Sequence, residues 1–167
     1  MGETVKLRRL EIADTNQLAQ LANNRKVWDC LRDYFPHPYH EQDARNFIEL
    51  TQNENPPQNF GIEYNDELCG VIGVILQQDV YKKSGEIGYW LGEPFWSKGI
   101  GTEAVRLITE YGFSELNLIR LYAGIFSFNK PSMKVLEKNG FQKDAIFRNA
   151  ILKNGKIYDE HRYFKLK

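Results

Sequence analysis

The feature that most constrains the fold is a strand–loop–helix–strand segment between residues 85 and 126. The stretch GEIGYWL predicts a strand, and IRLYAGIF predicts the strand that follows the helix. Between them, FWSKGIGTEA places two glycines where the helical spacing of apolar residues begins. A strand, a helix and a second strand in this order form a crossover connection, which brings the two strands together in parallel. We therefore expect one parallel pair of strands in the sheet.

The segments on either side of this unit predict antiparallel structure. Residues 3–10 read as a strand, and residues 59–78 read as two strands around a polar turn at Asn65 and Asp66. The sequence closes with a hairpin that turns at Asn154-Gly155. These strands extend the sheet on both sides of the parallel pair.

Helical spacing of apolar residues recurs between these strands. Asp14 and Gln17 have the spacing of a capping box and open a helix that continues through Trp28. After an aromatic loop that contains prolines, the spacing resumes from Ala44 to Leu50, and two further helices follow the glycine loop and the next strand. The whole pattern predicts an α+β fold (mixed α/β): a central, mostly antiparallel twisted sheet of about seven strands with one parallel crossover pair, flanked by about four helices.

Length and composition limit the classes of protein that fit. The 167 residues suit one domain, residues 1–167, with a full hydrophobic core. The 22 Lys and Arg residues balance the 22 Asp and Glu residues, and the sequence pI is about 6.8, so the basic field typical of nucleic-acid-binding proteins is absent. Two cysteines form no disulfide framework, and no apolar run approaches the ~20 residues of a membrane span. We therefore expect a soluble, cytoplasmic protein without a nucleic-acid or membrane partner.

The glycine-containing loop also predicts an anion site. A helix N-terminus leaves backbone N–H groups without intrahelical partners and carries a partial positive charge, so it attracts phosphate. A Walker loop requires Lys and then Ser or Thr after its last glycine, but Thr102 and Glu103 follow Gly101. A dinucleotide fingerprint requires an acidic residue about 20 residues further on at a strand end, and IRLYAGIF has none. Both of these nucleotide classes are therefore excluded.

Three elements in order carry a more specific signal. They are WSKGIGTEA at the start of a helix, Asn129 with Ser132 after the next strand, and LEKNGF ending at Phe141. Together they resemble the GNAT superfamily of acetyl-CoA-dependent N-acetyltransferases over nearly the whole chain. Trp96 and Gly99, with DYFPHPYHEQDA upstream, resemble the branch that contains the ribosomal-protein alanine N-acetyltransferases. The resemblance implies a GNAT-like fold with acetyl-CoA as cosubstrate.

The resemblance assigns the glycine loop to the coenzyme. In this family a loop of the form Gln/Arg-x-x-Gly-x-Gly/Ala binds the coenzyme A pyrophosphate, and Trp96 stands here at the Gln/Arg position. Backbone N–H groups at the helix start would face the pyrophosphate, and a lysine would add a point charge. The residues predicted for this role are Lys98, Gly99, Ile100, Gly101 and Thr102.

Three more residues are predicted to contact the coenzyme. Asn129 would either cap the helix that follows it or hydrogen-bond the pantetheine arm. In the family, the strand that matches GEIGYWL splays from its neighbour and leaves backbone groups that bind pantetheine and polarise the thioester carbonyl. By that analogy, Trp90 and Leu91 would contribute backbone atoms rather than side chains.

Two residues are candidates for the chemistry of acetyl transfer, which requires a neutral amine, a polarised carbonyl and a proton for the departing thiolate. Glu86 stands where family members often carry a glutamate and would be a general base acting through water; the alternative is a surface carboxylate. Ser132 fits the hydroxyl that the ribosomal-protein branch uses to hold or protonate the sulfur; the alternative is an ordinary first-turn serine. The tyrosine acid of many relatives is replaced here by Leu136.

The segment between the first helices predicts a wall of the acceptor pocket. His37, His40 and Glu41 could be read as metal ligands, but a complete site needs three or four ligands in the right geometry, and we expect no metal. The loop Tyr34–Tyr39 is stiffened by prolines and rich in aromatic residues, so it would border the pocket. Acidic residues such as Asp33 and Glu41 would favour a cationic amine there.

The expected function is transfer of the acetyl group of acetyl-CoA to a primary amine by direct attack. A protein N-terminal amine, as in the ribosomal-protein branch, is the first acceptor that we expect. Two alternatives stay open: a small amine, such as a polyamine or an aminoglycoside-like compound, and a non-catalytic acyl-CoA-binding module. Glu86 and Ser132 favour an enzyme, whereas Leu136 keeps the binding module open. Both a monomer and a homodimer fit the sequence.

Overall fold

A computed structural model describes residues 4–167 of the chain. One seven-stranded sheet runs through these residues. The strands are β1 (Val5–Arg8), β2 (Asn59–Tyr64), β3 (Glu67–Leu76), β4 (Ser84–Leu91), β5 (Arg120–Phe126), β6 (Gln142–Lys153) and β7 (Lys156–Leu166). The α-helices are α1 (Thr15–Ala22), α2 (Arg25–Asp29), α3 (Glu41–Gln52), α4 (Ile100–Ser114) and α5 (Lys130–Lys138).

The order of strands in the sheet is β1-β2-β3-β4-β5-β7-β6. All neighbouring pairs are antiparallel except β4 and β5, which α4 connects. A crossover through a helix produces this parallel pair, as the sequence predicted. The predicted mixed sheet, with about seven strands and one parallel pair, is confirmed.

Two tight turns set the register of the antiparallel hairpins. Asn65 and Asp66 join β2 to β3 with φ angles of 51° and 65°, and Asn154 and Gly155 join β6 to β7 with φ angles of 51° and 72°. Two consecutive residues with positive φ match the right-handed twist of the flanking strands, and Asn, Asp and Gly tolerate that conformation best. Both turns lie at the predicted residues.

Helices cover both faces of the sheet. Ile72 and Val74 of β3 pack in one core cluster with Ile100 and Ile108 of α4, whereas Val71 packs in a second cluster with residues of α1 and α3. Alternate residues of a strand point to opposite faces of its sheet. The α4 cluster and the α1–α3 cluster therefore lie on opposite faces.

The helix predicted from Asp14 through Trp28 is wrong in its length. The chain breaks at Asn23 and Asn24, and the Asn24 side chain accepts hydrogen bonds from the backbone N–H groups of Lys26 and Val27, at 2.8 and 3.3 Å, to start α2. An asparagine with extended backbone is a favoured N-cap, so it starts a new helix rather than continuing the first. The described residues therefore form five α-helices instead of about four.

The capping box predicted at Asp14 and Gln17 is also wrong. The Asp14 carboxylate accepts hydrogen bonds from both terminal guanidinium nitrogens of Arg8, each at 2.8 Å, and from the backbone N–H of Glu11 at 2.8 Å. Asp14 thus joins β1 to the turn before α1. Of the strand predicted at residues 3–10, Val5–Arg8 is a strand, and residue 3 lies outside the described residues.

None of the helices in residues 4–167 is long and apolar enough to cross a membrane.

Candidate active site

A gap opens between β4 and β5. The two strands pair only from Ser84 to Glu86, opposite Arg120 to Tyr122, and the remainder of β4 pairs with β3 alone. The sheet is therefore split at its centre on the C-terminal side of Glu86. The predicted splay of this strand from its neighbour is present.

The register of β4 decides which backbone groups face this gap. The Gln77 N–H donates to the Ser84 carbonyl at 3.1 Å, and the Gly92 N–H donates to the Cys69 carbonyl at 2.9 Å. Because hydrogen-bonded and non-bonded pairs alternate along antiparallel strands, Trp90, opposite Val71, directs its backbone groups to β3. Leu91 and Tyr89 direct theirs to the gap. This corrects the backbone role predicted for Trp90, and Tyr89 takes its place beside Leu91.

The glycine loop leads from this gap into α4. Gly99 has a φ of 77°, in the left-handed region that glycine adopts without strain, and α4 begins at the next residue. The first-turn N–H groups at Ile100, Gly101 and Thr102 have no intrahelical acceptor, and within residues 4–167 no side chain caps this helix. The start of α4 therefore presents uncapped donors beside the gap.

The Trp96 indole N–H donates to the Leu91 carbonyl at 2.8 Å and ties the loop to the end of β4.

A cavity of about 530 Å³ extends over this helix start. The predicted loop residues from Lys98 to Thr102 line it, together with Trp90, Leu91, Asn129 and Ser132. Three further lysines also line it, and sequence reasoning missed them: Lys26, Lys134 and Lys138. Lys26 is paired with Glu93, whereas Lys134 and Lys138 lie one helical turn apart on α5. That i, i+4 spacing was the signal available in the sequence. A lysine-lined cavity at an uncapped helix start suits a ligand with several phosphate groups.

Asn129 and Ser132 lie at the start of α5. The Asn129 side-chain oxygen accepts a hydrogen bond from the Ser132 backbone N–H at 3.3 Å, so Asn129 is the N-cap of the helix, one of its two predicted roles. The Ser132 Oγ lies 2.6 Å from the Tyr89 hydroxyl oxygen. Burial raises the pKa of Tyr89 to about 12, although the hydrogen bond with Ser132 acts in the opposite direction. Tyr89 therefore stays protonated at neutral pH and can donate to Ser132.

A second cavity, of about 500 Å³, adjoins the first. Glu86 lines it, and its Oε1 accepts a hydrogen bond from Arg32 Nη2 at 2.7 Å. The loop that was predicted to border the acceptor pocket lines this cavity with Tyr34, Phe35, Pro36 and Tyr39. Phe35 packs against Tyr39 and against the edge of Trp90 with ring centroids 4.9 and 5.8 Å apart.

The acidic residues of this cavity differ from those predicted. Asp33 accepts a hydrogen bond from Lys153 Nζ at 2.7 Å, Glu41 accepts one from the Asn16 side chain at 3.0 Å, and neither lines the cavity. Among the described residues, the two carboxylates that do line it are Glu86 and Asp43. The Asp43 carboxylate accepts from the His40 backbone N–H at 2.8 Å. Asp33 is held by Lys153, and Asp43 is placed by the start of α3; both contacts depend on the fold, so the sequence alone could not show which acidic residues line the cavity.

The two histidines considered as metal ligands have other contacts. His37 stacks on Trp28 with ring centroids 5.5 Å apart, and His40 is the N-cap of α3. Within residues 4–167, no three His, Cys, Asp or Glu side chains come together in a group that could hold a metal ion.

The two cavities share one wall. Among residues 4–167, six line both of them: Cys30, Leu31, Tyr89, Trp90, Asn129 and Ser132. A phosphate-bearing ligand held over α4 therefore meets the contents of the second cavity at Tyr89 and Ser132. This arrangement suits direct transfer of a group from one ligand to the other.

Comparison with known proteins assigns the family. Residues 4–142 match the model of the Acetyltransferase (GNAT) domain. The chain therefore belongs to the GNAT family of acetyltransferases. It is 32% identical over 169 residues to the probable N-acetyltransferase YjcK of Bacillus subtilis (strain 168), an alignment that covers 96% of this chain and 92% of the relative. It is 28% identical over 160 residues to spermidine N(1)-acetyltransferase of Escherichia coli (strain K12), covering 92% and 81%.

Solved structures agree with this assignment. The microcin C7 self-immunity acetyltransferase MccE, in complex with acetyl-CoA and AMP, superposes with a TM-score of 0.82 at 28% identity, covering 98% of this chain and 92% of MccE. RimL, the ribosomal L7/L12 alpha-N-protein acetyltransferase in complex with coenzyme A, superposes with a TM-score of 0.83 at 23% identity, covering 98% and 94%, and supports the fold. The protein is an N-acetyltransferase, and acetyl-CoA is its cosubstrate.

Proposed function

We propose that this protein transfers the acetyl group of acetyl-CoA to the α-amine of a polypeptide N-terminus by direct attack. The observation that carries the proposal is the second cavity, which is mostly apolar and opens onto the shared wall at Tyr89 and Ser132. Both of its carboxylates among the described residues are already hydrogen-bonded, and Arg32 adds a positive charge. Acetyl transfer requires a neutral amine, and the mostly apolar lining makes burial of an ammonium group costly, so an amine that loses its proton readily is favoured.

This requirement favours an α-amine over the amine of a lysine side chain or a polyamine. An α-amino group has a pKa of about 7.7–8.0, against about 10.4 for a lysine-type amine. At 1.36 kcal/mol per pKa unit, the free energy needed to deprotonate the α-amine is about 3.5 kcal/mol smaller than that needed to deprotonate a lysine-type amine. A polyamine also carries further charges, which the hydrogen-bonded Glu86 and Asp43 would have to balance.

The proposed mechanism gives separate roles to the start of α4, the gap beside β4, Glu86 and Ser132. The N–H groups at the start of α4, with Lys98, hold the pyrophosphate, and Gly99 and Gly101 allow its close approach. Backbone groups of Tyr89 and Leu91 in the gap bind the pantetheine arm and polarise the thioester carbonyl. Glu86 accepts a proton from the attacking amine through water as the C–N bond forms. The Ser132 hydroxyl donates a hydrogen bond to the sulfur as the C–S bond breaks, so the coenzyme leaves as the thiolate; the proton taken up by Glu86 passes to water, and the released thiolate takes a proton from water to become the thiol.

The test is thiol release from acetyl-CoA with four acceptors: a free peptide N-terminus, the same peptide N-acetylated, spermidine and an aminoglycoside. We expect release only with the free peptide, and mass spectrometry should place the added 42 Da, the ordinary mass of an acetyl group, on its α-amine. Release with spermidine alone would replace the proposal by the small-amine alternative, to which the relative named spermidine N(1)-acetyltransferase lends weight.

Glu86→Gln tests the base. We expect acetyl transfer to fall by at least about 100-fold, the usual contribution of a general base, with the Kd for acetyl-CoA unchanged. Glu63→Gln is the matched control, because Glu63 also pairs with an arginine, Arg8 at 2.5 Å, and lies outside both cavities. Equal activity of Glu86→Gln and the parent would remove Glu86 from the mechanism.

A non-catalytic acyl-CoA-binding module is the second candidate. Leu136, fully buried in α5, occupies the position at which many relatives carry a tyrosine acid. Tight binding of acetyl-CoA without thiol release for any acceptor would support this candidate over the enzyme.

A further inference from the structure

Gly88, in the middle of β4, is a glycine that the chain's own structure does not require. Its φ is not in the left-handed region, and an added Cβ would meet no atom within 4 Å. Gly73, which lies opposite Gly88 on β3, is required by the fold, since a Cβ added there would come within 2.4 Å of the Asn59 side-chain oxygen. A glycine inside a strand costs roughly 0.5–1 kcal/mol, and it often marks the close approach of a ligand.

Gly88 lies on the cavity face of the sheet, between the groups that would act on the acceptor. Glu86 and Trp90 are two residues away on either side and share its face, about 7 Å along the strand in each direction. All three line the second cavity, and Gly88 does not line the first. An acceptor that lies along this strand with its amine at the shared wall would place the carbon next to the amine over Gly88.

The space over Gly88 is bordered by apolar side chains. On the same face of the sheet, Val71 and Ile75 of β3 flank the Gly73–Gly88 pair, opposite Trp90 and Glu86. Phe47 and Leu50 of α3 also line the cavity, and Leu50 and Ile75 remain 71% and 48% exposed although they are large and apolar. An apolar group that entered this space would bury them.

We infer that the acceptor is a polypeptide whose first residue has a large apolar side chain, and that this side chain lies over Gly88. The inference rests on the proposed function and names its substrate class. Filling the space over Gly88 with a side chain of the protein should therefore exclude the side chain of the acceptor.

The experiment compares peptides that differ only in the first residue, Leu, Phe, Ala or Gly, with the parent and with Gly88→Val. For the parent we expect kcat/KM to be at least about 10-fold higher for Leu and Phe than for Gly, the usual effect of filling an apolar pocket. In Gly88→Val the Leu-to-Gly ratio of kcat/KM should fall by at least about 10-fold, to about one or below. The Kd for acetyl-CoA should not change, because Gly88 lies outside the first cavity.

Stability separates this effect from damage to the fold. Valine favours strands, so Gly88→Val should melt at the same or a higher temperature than the parent. Gly88→Ala is the second variant, since its Cβ enters open space, and it should lower the Leu-to-Gly ratio less. A parent that uses Gly or Ala as well as Leu, or a variant that loses activity equally with every peptide, would overturn the inference. Failure of all four peptides would instead contradict the proposed function.

Discussion

At the scale of single residues, the contact between Tyr89 and Ser132 joins β4 to α5 at the wall common to both cavities. A serine hydroxyl has one proton and two lone pairs, so it can donate to the sulfur while its oxygen accepts from another donor that holds it in place. The Tyr89 hydroxyl oxygen lies 2.6 Å from Ser132 Oγ, where either group can donate, and it donates to the Ser132 backbone carbonyl at 3.2 Å; burial keeps it protonated by raising its pKa to about 12. We therefore expect Tyr89 to donate to Ser132 Oγ and so to position the Ser132 hydroxyl.

Tyr89→Phe removes this donor and keeps the ring. We expect kcat to fall about 10-fold, the equivalent of one hydrogen bond of ~1.4 kcal/mol, while the KM for acetyl-CoA changes little. Ser132→Ala should have a similar effect, and the double variant should lose no more than either single one, because both act on the same hydrogen bond. Tyr111→Phe is the control, since it removes a tyrosine hydroxyl that donates to the Pro57 carbonyl outside the cavities. Additive losses in the double variant would show that Tyr89 does not act through Ser132.

At the scale of elements, a lysine from the β6–β7 hairpin holds the wall of the second cavity. The Lys153 side chain is only 3% exposed, its Nζ lies 3.3 Å from the centroid of the Trp28 ring, and it donates to Asp33 at 2.7 Å. Arg32, adjacent to Asp33, lines the cavity and contacts Glu86. The hairpin therefore positions the segment between α2 and α3 from 120 residues away in the sequence.

Lys153→Met keeps much of the buried volume and removes the charge. We expect the KM for the acceptor to rise about 5- to 10-fold as the wall loses its anchor, with the KM for acetyl-CoA unchanged. The free energy of unfolding should fall by about 2 kcal/mol, the size of a desolvated cation–π contact. Lys156→Met, at an exposed position on the same hairpin, should leave both quantities as in the parent. If the KM values for the acceptor and for acetyl-CoA rose together, the result would show that Lys153 stabilises the whole fold and does not act on the wall of the second cavity in particular.

Elements with a local signal could be predicted from the sequence, and contacts that depend on packing could not. The turn at Asn154-Gly155 could be predicted because few other residue pairs adopt two consecutive positive φ angles. The glycines of the loop before α4 likewise indicated where that helix begins. Asn24 was missed because apolar spacing continues past it, although its side chain starts a new helix. The Arg32–Glu86 and Lys153–Asp33 contacts join residues 54 and 120 positions apart, so no nearby pattern reports them. The charged lining of the second cavity could therefore be known only from the structure.

At the scale of the whole molecule, buried tyrosines make folding sensitive to alkaline pH. Burial is the main cause that raises the pKa values of Tyr39, Tyr89 and Tyr163 to about 12, whereas a tyrosine in an unfolded chain ionises near 10. Above pH 10 the unfolded chain has therefore lost protons that the folded chain retains. Since the unfolded state then binds fewer protons, stability falls as the pH rises.

We expect the urea midpoint of unfolding to start falling near pH 9, because burial also raises the pKa of the Cys69 thiol to about 12, and to fall more steeply from about pH 10 towards pH 12. Tyr163→Phe removes one of these ionisations and should make the fall less steep. Tyr34→Phe, which changes a tyrosine that is 79% exposed, should leave the slope as in the parent. A midpoint that stays level up to pH 11 would contradict the burial of these phenols.

The wall that both cavities share has a consequence for inhibition. Because Tyr89, Trp90, Asn129 and Ser132 border both spaces, one molecule can occupy the two at once. Such a bisubstrate compound would join the coenzyme sulfur, through a two-carbon bridge, to the α-amine of a short peptide. Tethering turns the second binding event into an intramolecular one, with an effective concentration in the mM range for a short linker. The ratio of the affinity of this compound to the affinity of either half alone would measure how closely the two subsites adjoin. A series of such compounds that differ in the first residue of the peptide would show which side chain binds most tightly, without any reaction taking place.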